Sequence, residues 1–93
     1  MNNVEQLNKF LKRVTSDVNL TTTHVGICTA LVVEWMNTGL TNPFNISRSR
    51  LMAAARIKSK TTYHKVISDL MSLNYLKYTP SYHPAKGSLV HIL

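Results

Sequence analysis

The sequence predicts an α+β fold that is mainly α, with four helices and a small β-hairpin near the end of the chain. Two observations carry this prediction. Apolar residues recur at three- and four-residue steps along most of the chain, which is the period of an amphipathic helix. Two β-rich runs then follow, joined by a loop that contains prolines and a glycine. Ninety-three residues with 44% hydrophobic content fit a single domain over residues 1–93.

The first two helices are predicted over residues 3–14 and 22–37. The first carries one apolar stripe, which consists of Val4, Leu7, Phe10, Leu11 and Val14. The second is apolar over most of its circumference, which indicates a central position or an interface. Gly39 is a suitable left-handed terminator for it, and Pro43 opposes any continuation. We expect these helices to cap the domain or to pair two chains, with Trp35 in the core or at that contact.

A brief edge strand and a third helix are predicted next. The stretch NPFNIS alternates apolar and polar residues after its proline, and this alternation favours an extended chain. Ser47 is a good N-cap, so the third helix should begin there. It should end near Ile57, and its three alanines allow a neighbouring helix to approach closely.

The fourth helix is predicted over residues 59–74, with Ser59 as its N-cap. At 100° per residue its apolar side chains fall on one side, which indicates a core face. The opposite face collects hydroxyl and basic side chains and has no carboxylate at its centre, because Asp69 lies to one flank. Asn74 tolerates the left-handed conformation that ends a helix.

The hairpin is predicted from the runs YLKYT and SLVHIL, which are rich in aromatic and β-branched residues. The loop PSYHPAKGS over residues 80–88 joins them and is too long for a two-residue turn. It contains Lys86 and His83 but no acidic residue.

Charge is the strongest indication of function. Eleven Lys and Arg oppose four Asp and Glu, for a net charge of +7. No acidic residue lies between Trp35 and Ser68, and six cations do: Arg48, Arg50, Arg56, Lys58, Lys60 and Lys65. Such clustering is typical of a protein that binds a polyanion. The alternative is a solvated basic surface that serves only solubility.

A family resemblance supports the first interpretation. The order of elements and the segment RLMAAARIKSKTTYHKVISDLMSLNYL resemble the winged helix-turn-helix domains of bacterial regulators. Leu51, Ile57, Tyr63, Ile67 and Leu70 match the buried positions of that motif. The resemblance covers residues 44–93, with residues 1–38 as an N-terminal helical extension. Two departures from the family pattern are a turn, IKSK, that is one residue longer and an asparagine in place of the usual glycine at position 74.

The resemblance narrows further to one subgroup. The segments NPFNISRSRLMAAARIKSKTTYHK and PSYHPAKGS are similar to small bacterial proteins carried on plasmids and transposons, and to N-terminal domains of replication initiators. This likeness implies sequence-specific binding of double-stranded DNA by a transcriptional regulator or by an accessory protein of replication or of a mobile element. Separately from this likeness, the lack of a signal-peptide pattern and the single cysteine predict a soluble, reducing, cytoplasmic setting.

The same resemblance implies which residues contact DNA. The helix over residues 59–74 would enter the major groove, and the wing over residues 80–88 would contact the backbone. The predicted contact residues are Arg48, Arg50, Lys58, Ser59, Lys60, Thr61, Thr62, His64, Lys65, Ser68 and Lys86. Among them, Thr61, His64, Lys65 and Ser68 would point into the groove. Lys65 is suited to guanine O6 and N7, and the other cations are suited to phosphates.

Two other binding functions stay open. Some winged-helix domains bind protein partners and never contact DNA, in which case the outer face of the fourth helix would meet an acidic surface. A single-strand or RNA binder would need exposed aromatic residues on which bases stack, and Tyr82 alone is available on the wing. No small-molecule effector is indicated.

Metal, catalytic and membrane functions are disfavoured. His24 and Cys28 lie four residues apart, but two ligands do not complete a tetrahedral zinc site. The four carboxylates have no paired spacing, and three scattered glycines cannot form a phosphate-binding loop, so we expect no enzyme activity and no cofactor. No apolar run reaches the ~18 residues of a membrane span, and no signal peptide is recognisable. A single cysteine fits a reducing compartment, and the end of the chain inside a β-rich run leaves open that a longer protein contains it.

Overall fold

The computed structural model describes residues 2–80 and 87–93, and within them the chain forms four helices and three strands. The helices are α1 (Asn3–Ser16), α2 (Thr22–Asn37), α3 (Arg48–Ala54) and α4 (Lys60–Ser72). The strands are β1 (Phe44–Ile46), β2 (Leu76–Thr79) and β3 (Ser88–Ile92). The prediction of a mainly α fold with a small antiparallel β element is therefore confirmed.

Helix starts follow from side-chain caps. Asn2, Thr21, Ser47 and Ser59 each accept a hydrogen bond from a backbone N–H of the first turn of α1, α2, α3 and α4, respectively. These N–H groups have no partner within their own helix, so each cap stabilises its helix by ~1 kcal/mol. The predicted caps Ser47 and Ser59 are confirmed.

The end of α3 differs from the prediction. The helix stops at Ala54 and does not continue to the neighbourhood of Ile57. Arg56 adopts a left-handed conformation with φ 60°, which turns the chain out of the helix before the buried Ile57 is reached. Asn74 adopts φ 61° just after α4, as expected for its position.

The strands form one antiparallel sheet in the order β1-β3-β2. β1 pairs with β3 alone, so the prediction of an edge strand is confirmed. Asn42 extends this pairing with its side chain: its amide nitrogen donates to the Ile92 carbonyl at 2.8 Å, and its oxygen accepts from the Ile92 N–H at 2.9 Å. The segment before β1 is thereby tied to the end of β3.

The core is centred on α2, as its nearly all-round apolar character indicates. Trp35 is fully buried, stacks on Phe44 with ring centroids 6.2 Å apart, and meets the edge of Phe10 at 6.4 Å. α1, α2 and β1 are joined at this point. In the predicted α1 stripe, Phe10 and Val14 are buried while Val4 and Leu11 are exposed.

The backbone at Gly87, at the base of the hairpin, leaves no room for a side chain. It has φ 65°, and a Cβ placed there would overlap the carbonyl oxygen of Ile46. We expect Gly87→Ala to lower the free energy of unfolding by more than the ~1–2 kcal/mol that a left-handed alanine costs. Gly39→Ala is the matched control, because Gly39 has φ 72° and open space around it. Urea denaturation of both variants checks this, and equal losses would contradict the predicted overlap.

Candidate nucleic-acid interface

α4 separates a core face from a solvent face. Its buried side chains are Tyr63, Val66, Ile67 and Leu70. The side chains of Thr61, His64, Lys65 and Ser68, which the sequence predicts for a DNA groove, are all exposed. A helix with this division presents a continuous polar and cationic surface that no other described element covers.

The start of α4 adds further donors to that surface. Lys58, Ser59, Lys60 and Thr62 are all exposed there. Ser59 Oγ accepts from the Thr62 N–H at 3.3 Å, and this cap fixes the direction of the first turn. The first backbone N–H groups of a helix attract anions, and the two lysines add full positive charges beside them.

The two predicted arginines of α3 differ in their surroundings. Both Arg48 and Arg50 are exposed in the first turn. Arg50 Nη2 lies 3.2 Å from Glu34 Oε1 of α2, and the Glu34 side chain retains only 17% of its exposure. An exposed phosphate would have to compete with this carboxylate for Arg50, whereas Arg48 has no carboxylate within salt-bridge distance among the described residues.

A carboxylate reaches the cationic face of α4 from its flank. Asp69 Oδ2 lies 3.6 Å from Lys65 Nζ and 2.8 Å from His24 Nε2. The hydrogen bond from His24 is the main cause that holds the pKa of Asp69 below its usual value, and the Lys65 charge contributes as well. As predicted, the backbone of Asp69 lies to one flank of this face. Its side chain, however, turns toward Lys65 and brings a carboxylate to the face.

His24 links α2 to α4. Its Nδ1 accepts from the Thr21 N–H at 3.0 Å, which completes a capping box at the start of α2. The ring proton therefore belongs on Nε2, which donates to Asp69. Both ring nitrogens are occupied by protein partners, and no group of three His, Cys, Asp or Glu residues fit to hold a metal occurs within residues 2–80 and 87–93.

Cys28, the other residue considered for metal binding, belongs to the core. Its side chain is buried. Burial disfavours the thiolate and raises the pKa of Cys28 to about 12. The cysteine therefore packs as a neutral apolar group.

Hydroxyl groups connect α4 to the hairpin. The Tyr63 hydroxyl lies 3.2 Å from the Tyr78 hydroxyl of β2, and Tyr78 donates to Ser88 Oγ of β3 at 3.0 Å. Burial, together with the hydrogen bond to Tyr78, raises the pKa of Tyr63. This chain sets the base of the hairpin against the first turns of α4. The predicted wing contact Lys86 lies outside the described residues.

The far end of α4 is held by α1. Arg13 donates to the carbonyl oxygens of Leu73 and Asn74, and its guanidinium lies 3.8 Å above the ring centre of Tyr75. The Tyr75 hydroxyl donates to Asp17 Oδ2 at 2.7 Å, and this bond is the main cause that lowers the pKa of Asp17. Burial, reinforced by Asp17, raises the pKa of Tyr75 to about 12.

Sequence reasoning missed these supports of the interface, namely Arg13, His24 and Glu34. The position three residues after Thr21 is a capping position and is the local signal that bears on His24, although a capping box usually has Glu or Gln there and not histidine. Neither Arg13 nor Glu34 carries a comparable local signal, because their partners lie on other helices.

Comparison with known proteins gave no match: no family model, no curated protein and no solved structure matches the chain. None of the helices in the described part of the chain combines the length and the apolar content that crossing a bilayer requires.

Proposed function

We propose that the chain is a winged helix-turn-helix domain that binds double-stranded DNA in a sequence-specific manner, with α4 in the major groove. The observation that carries the proposal is the exposed face of α4, where Thr61, His64, Lys65 and Ser68 stand beside a cationic helix start. α4 has thirteen residues and its other face is anchored in the core. The major groove of B-DNA admits a helix of this kind.

The order of elements supports the proposed fold. From α2 onward the chain runs helix, strand, helix, helix, strand, strand, and β3 lies between β1 and β2. In a winged helix the second helix of the pair reads the groove and the hairpin after it lies over the backbone. α4 and the β2–β3 hairpin follow α3 in this order, and the Tyr63–Tyr78–Ser88 hydroxyl chain joins them, which supports the proposal.

Phosphate contacts are proposed for the cations around the groove residues. Lys58 and Lys60 flank the start of α4, and Arg48 lies at the start of α3. Lys86 on the wing is retained as a proposed contact. Arg50 contacts the DNA backbone in this proposal only if a phosphate displaces Glu34 from its ion pair with Arg50. Such contacts position the protein on DNA, and the groove residues supply the sequence preference.

The biological role can be tested by finding the DNA sequence that the chain prefers. We propose a bacterial cytoplasmic regulator of transcription, or an accessory protein of replication or of a mobile element. Selection from random DNA followed by sequencing reports the preferred site. A palindromic site with half-sites about 34–36 Å apart would also support pairing of two chains.

We propose α2 as the surface through which two chains would pair. Val33 and Met36 are exposed there, next to a groove of about 350 Å³ between α2 and α3. The groove is lined by Gly26, Thr29, Ala30, Val33, Glu34, Leu51 and Ala54. Homodimerisation through the first two helices stays a prediction that sedimentation measurements test directly.

The salt dependence of binding tests the proposed function. With about five phosphates neutralised, the logarithm of the affinity should fall with the logarithm of salt concentration at a slope of about −4 to −5. Fluorescence anisotropy with a labelled random duplex measures this slope. A protein that causes no anisotropy change even at low salt would contradict DNA binding and favour the alternative, a winged-helix module that binds an acidic protein surface.

A further inference from the structure

We infer that Asp69, anchored by His24, is a positioning residue that directs the Lys65 ammonium to a guanine edge of the DNA. This inference rests on the proposed function and adds to it one base preference and its physical origin. The base recognised is guanine of a G·C pair, and the recognising group is Lys65 next to the Asp69 carboxylate.

His24 and Lys65 both contact the same carboxylate oxygen of Asp69. Oδ2 accepts from His24 Nε2 at 2.8 Å and lies 3.6 Å from Lys65 Nζ. The Lys65 side chain is 77% exposed, and among the described residues Asp69 supplies the only carboxylate within salt-bridge distance of it. His24 is itself buried and held by Thr21, so the carboxylate is oriented from the protein interior.

This anchoring matters because a lysine alone is a poor reader of bases. Its ammonium sits on a flexible four-carbon stem and is attracted to any nearby phosphate. A lysine four residues before an acid is also the less favourable order for a helical ion pair. The bond from His24 compensates by fixing the carboxylate, which in turn limits the positions that the ammonium samples.

The carboxylate also disfavours competing contacts. A negative charge beside Lys65 repels phosphates, so the ammonium is better used on a neutral acceptor in the groove. Guanine offers two such acceptors, O6 and N7, whereas adenine places an amino donor next to its N7. Lys65 with Asp69 therefore favours G·C over A·T at one position.

The test compares base preferences of variants in selection from random DNA. Asp69→Asn removes the charge, while its amide oxygen can still accept from His24, so the α2–α4 link is kept. We expect the guanine preference at one position to fall at least about fivefold and the preferences elsewhere to persist. Binding to non-specific DNA should become tighter, because Lys65 is free to contact phosphate.

Two further variants complete the design. Lys65→Ala should lose the same guanine preference but, unlike Asp69→Asn, should not bind non-specific DNA more tightly, because no ammonium remains at this position to contact a phosphate. Glu5→Gln is the charge-matched control, since Glu5 is exposed in the first turn of α1. It should leave every base preference unchanged.

Three results would overturn the inference. An Asp69→Asn protein with an unchanged guanine preference would show that Asp69 does not direct Lys65. A loss of preference at many positions together with a lower Tm would show that Asp69 acts only through folding. If the unmodified chain binds no duplex at low salt, the proposed function fails and the inference fails with it. The first two results leave the proposed function standing.

Discussion

DNA affinity of the double variant Lys58→Glu/Lys60→Glu is expected to fall at least roughly 60-fold at 0.1 M salt. Each phosphate contact contributes about 0.9 to the salt exponent, which at this concentration is a factor of about eight in affinity. Loss of two such contacts therefore lowers the affinity roughly 60-fold, and the new negative charges add repulsion from the phosphates. The effect should be the same for random and selected DNA, because phosphates carry no sequence information. Anisotropy titrations with both DNAs measure it.

We expect the double variant to fold normally, so a loss of affinity would not be caused by unfolding. Both residues lie at the start of α4, where negative side chains interact favourably with the helix dipole. Lys9→Glu/Lys12→Glu is the matched control: it changes the charge equally on exposed positions of α1. We expect the control to lose much less affinity. Equal losses in both variants would mean that net charge, and not the start of α4, governs binding.

Trp35→Ala is expected to have the largest effect on stability, a loss of ~3–5 kcal/mol in the free energy of unfolding. Trp35 is fully buried where α1, α2 and β1 meet, and its removal deletes the ring contacts that Phe10 and Phe44 make with it. Domains have only about 5–15 kcal/mol in total, so this variant should be partly unfolded near body temperature. Urea denaturation followed by far-ultraviolet circular dichroism is the suitable measurement, because the chain has no other tryptophan.

Two companion variants separate packing from other causes. Trp35→Phe should cost only roughly 1–2 kcal/mol, because an aromatic ring remains. It should lose no hydrogen bond, since Trp35 Nε1 has no partner among the described residues. Met36→Ala, on the next and exposed residue, should change stability by less than about 1 kcal/mol. Similar losses for Trp35→Ala and Met36→Ala would refute the central role of Trp35.

Most elements could be predicted because their signals are local. The stripe on α1, the caps Ser47 and Ser59, and the left-handed Asn74 each depend on residues within a few positions of one another. The end of α3 comes earlier than the sequence predicts, because no local signal marks the left-handed Arg56. An arginine with positive φ is held by its surroundings and not by its own preference.

For the candidate interface, the sequence predicts which residues lie on the exposed side of α4 but not where their side chains point. Helical periodicity alone put Thr61, His64, Lys65 and Ser68 on one side of α4, and all four are exposed. Periodicity could not predict the direction of the side chains around them. Arg50 turns to Glu34, and Lys65 shares Asp69 with His24.

The amino-acid sequence by itself determined the order of helices and strands and the cationic side of α4, because both depend on neighbouring residues and on composition. Only the tertiary structure decided which cations are paired and which are free. His24 meets Asp69 across 45 residues, and Arg13 meets the end of α4 across 60. Contacts between such distant positions exist only after the core has packed, since packing of α1 and α4 against α2 is what brings these groups within reach of each other.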